Sequence, residues 1–249
     1  MKKILLASGD SYTDPNFISD FHPDLDTSWP MWPELLADKL DMQCVNLGKS
    51  GAGNEYIYSS LLDYITDPNL KKEDIGLVVA GWSQIQRKDY QTGQSGRWTN
   101  MRIDPHGDAF SLASKSLRYY LSFQIMCERY KLNYLQVQMI NFHSDFLGGL
   151  RYGANQFNIE KEKIIKYPYD KEKDKLRVYN SILNNDYRIN HKKFIGWPIA
   201  KELGGFTLGA KNSPIFPNGD LSFKISELDE HPNALGQRMI AEYIHDRLG

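Results

Sequence analysis

Lys3-Ile4-Leu5-Leu6-Ala7-Ser8-Gly9-Asp10-Ser11-Tyr12-Thr13 opens the chain with an apolar run of strand length, broken at once by Gly9 and a polar turn. Continuous apolar residues over Lys3–Ser8, with no polar alternation, predict a strand buried on both faces, as in a parallel sheet. Outward from it, strand and helix patterns alternate. Trp29–Leu40 carries Trp32, Leu35, Leu36 and Leu40 at helical spacing, with Ser28 as the expected cap. Gln43–Leu47 reads as a second strand and runs into a glycine-rich turn, Gly48–Gly53. Asn54–Ile65 then sets Ile57, Leu61, Leu62 and Ile65 on one helical face. Ile75–Ala80 is a third strand, Ser111–Tyr130 a long amphipathic helix, Tyr134–Ile140 a fourth strand, and Asn233–Leu248 a closing helix. Such alternation implies right-handed crossovers and a three-layer α/β/α sandwich around a central, mostly parallel sheet. Sites in these sheets lie at the carboxyl ends of the strands. The residues after strands one, two and three are therefore the first place to look for chemistry.

The 249 residues fit one domain, 1–249, able to bury roughly 70–75% of the unfolded surface. Hydrophobic residues make up 41% and charged residues 24%, ordinary for a globular chain. Thirty Lys and Arg against 31 Asp and Glu leave a formal charge of −1, which gives nucleic acid or an anionic membrane no electrostatic hold. Cys44 and Cys127 sit in apolar strand and helix patterns and are expected to be free, buried thiols. Met1-Lys2-Lys3 before Ile4–Ala7 imitates a secretion signal, but the apolar run is shorter than the roughly 7–15 residues of a signal core. No stretch approaches the ~18 apolar residues of a membrane span. The expectation is a soluble, cytoplasmic protein. Two stretches break the alternation. Gln91–Asp108 is polar and rich in Gly, Arg and Asp, and reads as a long loop. Residues 141–193 are highly charged, with a Lys/Glu-rich run over Glu160–Lys175, and read as a partly helical insertion or cap.

Four blocks follow the strands in order. Ser8-Gly9-Asp10-Ser11-Tyr12-Thr13 comes first, placing a serine where a parallel strand meets the next turn, in a field that favours negative charge. Asn46-Leu47-Gly48-Lys49-Ser50-Gly51-Ala52-Gly53-Asn54 follows strand two. Gly81-Trp82-Ser83-Gln84 follows strand three, and Asp229-Glu230-His231-Pro232-Asn233-Ala234-Leu235-Gly236 opens the last helix. In this order the blocks resemble those of the SGNH/GDSL hydrolases, over the chain from Lys3 to the last helix. The resemblance implies an esterase with a flavodoxin-like α/β/α fold. It makes Ser11 the nucleophile and His231 the general base, with an acid just upstream. The family spaces the acid as Asp-x-x-His, but Leu228 stands there, so Asp229 is the expected acid, with Glu227 and Glu230 as rivals. Pro232 suits a first helical position.

The resemblance also implies an oxyanion hole from the backbone N–H groups of Ser11 and Gly51, a glycine because the backbone must approach the substrate without a Cβ. The family's third donor is an Asn side chain. Here Ser83 stands in its place and Gln84 in that of the following Asp, and either could donate. Asp10 is a turn residue or a substrate contact. Asn54 caps the following helix or lines the pocket, and Arg87 either binds an acidic or sugar substrate or is a surface arginine. No metal or organic cofactor is required, and His22, His106, His143, His191 and His245 show no ligand spacing. The expected partner is a small-molecule or carbohydrate ester, with no nucleic acid or membrane. Aromatic residues between Phe142 and Trp197, among them Tyr152, Tyr167, Tyr169 and Tyr187, could stack on sugars or form the core of the insertion. Short-chain or O-acetyl esters on a carbohydrate are the expected substrates. An O-acyltransferase with the same triad, or a binding module with a weak site, are the alternatives.

Overall fold

The structure is a computed structural model that describes residues 2–92, 97–101, 109–142, 171–209, 213–216 and 220–248. Five strands form one parallel sheet: β1 (Ile4–Ser8), β2 (Gln43–Asn46), β3 (Ile75–Trp82), β6 (Tyr134–Gln138) and β7 (Phe194–Ile195), in the order β2-β1-β3-β6-β7. Two more, β4 (Lys88–Thr92) and β5 (Arg97–Met101), pair as an antiparallel ribbon. Among the described residues there are five helices: α1 (Trp32–Lys39), α2 (Asn54–Thr66), α3 (Ala109–Arg129), α4 (Lys171–Leu183) and α5 (Ala234–His245).

The period of two along a strand assigns the layers. Leu6 of β1, with Val78, Ala80 and Trp82 of β3, faces Ile57, Leu61 and Ile65 of α2 and Leu117, Tyr120 and Phe123 of α3. Leu5, Ala7, Leu77 and Val79 point the other way, onto Trp32 and Leu36 of α1 and Ile240, Ala241 and Ile244 of α5. Both faces are covered, as a parallel sheet requires. The architecture is the expected three-layer α/β/α sandwich. Among the described residues no helix is long and apolar enough to cross a membrane. Cys44 and Cys127 are both free, Cys127 buried and Cys44 half-buried, and burial pushes the Cys44 thiol up to about 12.

Several boundaries differ from those read in the sequence. Helix α1 starts at Trp32 rather than Trp29, with Met31 as its cap and no side-chain hydrogen bond from Ser28. Pro30 disfavours helical geometry at Trp29, and a proline in the first turn sets the start instead. In α5 the cap is Asn233, whose Oδ1 accepts from Leu235 N (3.0 Å) and Gly236 N (3.1 Å), so Pro232 lies one residue before the cap. The stretch read as a loop from Gln91 contains the end of β4 and all of β5. Of the expected insertion, 143–170 lie outside the described residues, while Val178 and Ile182 of α4 join the core.

The ribbon also closes a helix end. The cap residue of α2 is Gly53, which has no side chain to offer. The Asp89 carboxylate of β4 takes that role from outside, accepting from Gly53 N at 2.8 Å and Tyr56 N at 2.9 Å. Burial still holds its carboxyl above the usual carboxylate range, against those two bonds. Replacing Asp89 by Ala orphans both N–H groups and is expected to destabilise the fold by about 1–2 kcal/mol, measured by urea unfolding.

Candidate active site

The strand order reverses between β1 and β3, which opens a crevice at their carboxyl ends. β1 feeds into a tight turn built by Asp10. Its carbonyl accepts from Thr13 N (2.8 Å) and Asp14 N (3.0 Å), and its Oδ1 accepts from Tyr12 N (3.1 Å). Ser11 sits at the head of this turn with 8% of its surface exposed. The loop after β2 is laid directly against it. A Cβ on Gly48 would come within 2.6 Å of the Thr13 carbonyl carbon, so only glycine allows this backbone contact. Asn46 Nδ2 donates to Thr13 O at 2.7 Å, and Lys49 N to Gly9 O at 3.0 Å. Asp14 Oδ2 accepts from both the N–H and the hydroxyl of Ser50, each at 2.7 Å. This fixes the peptide that leads into Gly51, which adopts φ 79°. Neither the Ser11 nor the Gly51 N–H bonds to a described residue.

Across the crevice, the residues before α5 bring up the third side of the site. His231 Nε2 lies 2.8 Å from Ser11 Oγ, and His231 Nδ1 lies 2.5 Å from Asp229 Oδ1. With Nδ1 facing a carboxylate, that nitrogen carries the proton and Nε2 is left to accept from the serine hydroxyl. His231 N also donates to Asp229 Oδ1 at 3.1 Å, which closes the short Asp-x-His loop on itself. The imidazole is flanked by Phe17 at 4.4 Å and Tyr12 at 4.9 Å between ring centroids. Asp229 is 1% exposed, and its other oxygen accepts from Ser19 Oγ. Burial pushes its carboxyl up, but the bonds from Ser19 and from the His231 side chain and backbone outweigh that and hold it below the usual carboxylate range. Tyr12 moves the opposite way: burial and the neighbouring Asp10 raise its phenol, which stays neutral.

A solved structure carries the same frame. A protein of the G-D-S-L family from Desulfitobacterium hafniense DCB-2 aligns with 98% of this chain over 99% of its own, at a TM-score of 0.50 and 12% sequence identity. The fold is that of the SGNH hydrolases. Chains of the same group from Slackia heliotrinireducens (12% identity, TM-score 0.47, all of both chains) and Veillonella parvula DSM 2008 (13%, 0.44, 98% of this chain and 97% of that one) also align. No family model matches the sequence, and no curated protein does.

On this SGNH frame the structure sorts the remaining candidates. Glu227 and Glu230 are exposed, and Glu230 Oε2 lies 3.6 Å from Lys224 Nζ; neither takes the place of Asp229 beside His231. Asp10 is fully buried and cannot touch a substrate: Oδ1 serves the turn and Oδ2 accepts from Arg87 at 3.3 Å. The Arg87 guanidinium also donates to Ala52 O at 2.9 Å, so it ties the serine turn to the glycine turn and is not a surface arginine. Asn54 neither caps α2 nor lines the crevice. It is buried, with Oδ1 accepting from Ser83 N (2.8 Å) and Nδ2 donating to Ser83 O (3.3 Å) and Ser116 Oγ (3.0 Å). Ser83 is fully buried, and its hydroxyl has no hydrogen-bond partner among the described residues. Gln84 is the half-exposed residue of that loop.

Of the aromatic candidates, Tyr152, Tyr167 and Tyr169 lie outside the described residues. Tyr187 packs against the core and receives Arg118 over its ring at 6.0 Å. Sequence reasoning missed Ser19, Asp14 and Phe17. Their partners lie far along the chain or depend on loop geometry, and no spacing rule points to them.

Proposed function

We propose that this chain is a serine hydrolase of carboxylic esters, acting on short-chain or O-acetyl esters of a carbohydrate. The observation that carries the reading is the unbroken relay from Ser11 Oγ through His231 to Asp229, at 2.8 and 2.5 Å, on the carboxyl end of β1. His231 Nε2 takes the hydroxyl proton as Ser11 Oγ attacks the ester carbonyl, forming a tetrahedral oxyanion. The N–H groups of Ser11 and Gly51 receive that oxyanion, and Asp229 stabilises the imidazolium. The imidazolium then returns its proton to the leaving alcohol as the C–O bond breaks. Water, deprotonated by His231, attacks the acyl-serine, and the acid leaves as the serine is restored. Ser11 and Gly51 supply two backbone donors, and the Asn that gives the family's third is absent from this sequence block. Losing one donor of such a hole costs ~10²–10³ in rate, so modest turnover is expected.

The carbohydrate assignment is supported by the wall beside the glycine turn. Lys49 Nζ donates to Trp98 O at 2.6 Å, and the half-buried Trp98 ring meets Tyr56 edge-on at 5.5 Å. An aromatic edge with a basic head suits a sugar ring better than an alkyl chain. The test compares p-nitrophenyl acetate, butyrate and octanoate with an O-acetylated oligosaccharide. The acetate is expected to exceed the octanoate in kcat/KM by about tenfold or more, with acetate released from the oligosaccharide. A preference for octanoate overturns the substrate class, and no hydrolysis of any ester overturns the enzyme.

A further inference from the structure

The carboxylate of Asp229 has two oxygens, and only one serves His231. A buried carboxylate left with an unsatisfied oxygen carries a large desolvation cost and is free to turn about its Cβ–Cγ bond. Here the second oxygen receives the hydroxyl of Ser19, itself fully buried. The direction of that bond is settled by its surroundings. Ser19 Oγ already accepts from His22 N at 3.0 Å, so its single proton points to Asp229. The backbone of Asp229 is held by the same wall, its N–H donating to Ser226 Oγ at 3.0 Å, and Ser226 Oγ lies 2.8 Å from His22 Nε2. Phe17, two residues before Ser19, lies against the His231 ring. The segment after the serine turn thus holds acid and base together from one side.

We propose that Ser19 is a positioning residue of this site: its hydroxyl clamps Asp229 Oδ2 so that Oδ1 stays aligned on His231 Nδ1. The proposal rests on the esterase reading for its kinetic consequence, but not for its geometric one. Acid and base share one short Asp-x-His loop, in which the side chain and backbone of His231 hold Oδ1 and the Ser19 hydroxyl holds Oδ2.

Ser19→Ala is expected to lower kcat for p-nitrophenyl acetate by about 10- to 100-fold with KM nearly unchanged, the size of one charge-assisted hydrogen bond. Ser19→Thr, which keeps the hydroxyl, is expected to recover most of that loss. In an Asp229→Ala background, Ser19→Ala is expected to cost nothing further. The second readout is the low-field proton resonance of His231 Nδ1–H, assigned by its loss in His231→Ala. It is expected to move upfield or broaden away in Ser19→Ala while the melting temperature shows a folded protein. An unmoved resonance with kcat within twofold of wild type overturns the clamp. If wild type hydrolyses no ester, the esterase reading fails, and the resonance alone still decides whether Ser19 holds Asp229.

Discussion

Replacing Ser11 by Ala is expected to lower kcat for p-nitrophenyl acetate by about 10⁴- to 10⁶-fold, the loss typical when the nucleophile of a triad is removed. Stability should hardly change. The hydroxyl makes one side-chain hydrogen bond among the described residues, to His231 Nε2, and the turn around it is built by Asp10, Thr13 and the β2 loop instead. The measurement is steady-state hydrolysis beside a thermal melt. A variant with normal melting and a loss of that size places the chemistry on Ser11 Oγ. A loss under tenfold would mean that the ester is cleaved elsewhere.

The second large effect is expected at Asp229. Asp229→Asn should lower kcat about 10⁴-fold, because an amide cannot hold His231 in the tautomer that leaves Nε2 free. Glu227→Gln and Glu230→Gln should stay within about twofold, as exposed charges away from the imidazole do. The stability of the two forms should also part with pH. The folded carboxyl of Asp229 lies below its ordinary value, so its contribution is present above the unfolded value of about 3.9 and lost as pH falls through the lower, folded one. Urea midpoints measured down the acid range should therefore fall less steeply in Asp229→Asn than in wild type. Equal slopes would show that the carboxylate is not held by Ser19 and His231.

Much of this was legible from periodicity. The runs at Lys3–Ser8, Gln43–Leu47, Ile75–Ala80 and Tyr134–Ile140 each overlap a strand of the parallel sheet, most plainly in β1 and β3, where burial on both faces leaves no polar alternation. Ser11, His231 and Asp229 were proposed from the resemblance of their sequence blocks, and the structure brings the three side chains together. What escaped is of two kinds. The ribbon of β4 and β5 is polar and packs along α2 outside the main sheet, so its sequence carries no buried face to reveal it. β7 is only two residues long. The other kind is non-local. Ser19 meets Asp229 across 210 residues of sequence, and Asp89 caps a helix that begins 35 positions earlier in the chain, at Asn54. The surroundings of Ser83 were not legible for a related reason. It stands after β3, where the family places its donor, and its backbone is bonded on both sides by the buried side chains of Asn54 and Gln138.

A Ser11 nucleophile activated by His231 should be open to covalent capture. Wild type, Ser11→Ala and His231→Ala would be treated with a fluorophosphonate and the intact masses recorded. One adduct is expected on wild type, mapped to the peptide containing Ser11, none on Ser11→Ala, and labelling slowed by orders of magnitude in His231→Ala. An unlabelled wild type, or an adduct that persists in Ser11→Ala, would contradict it.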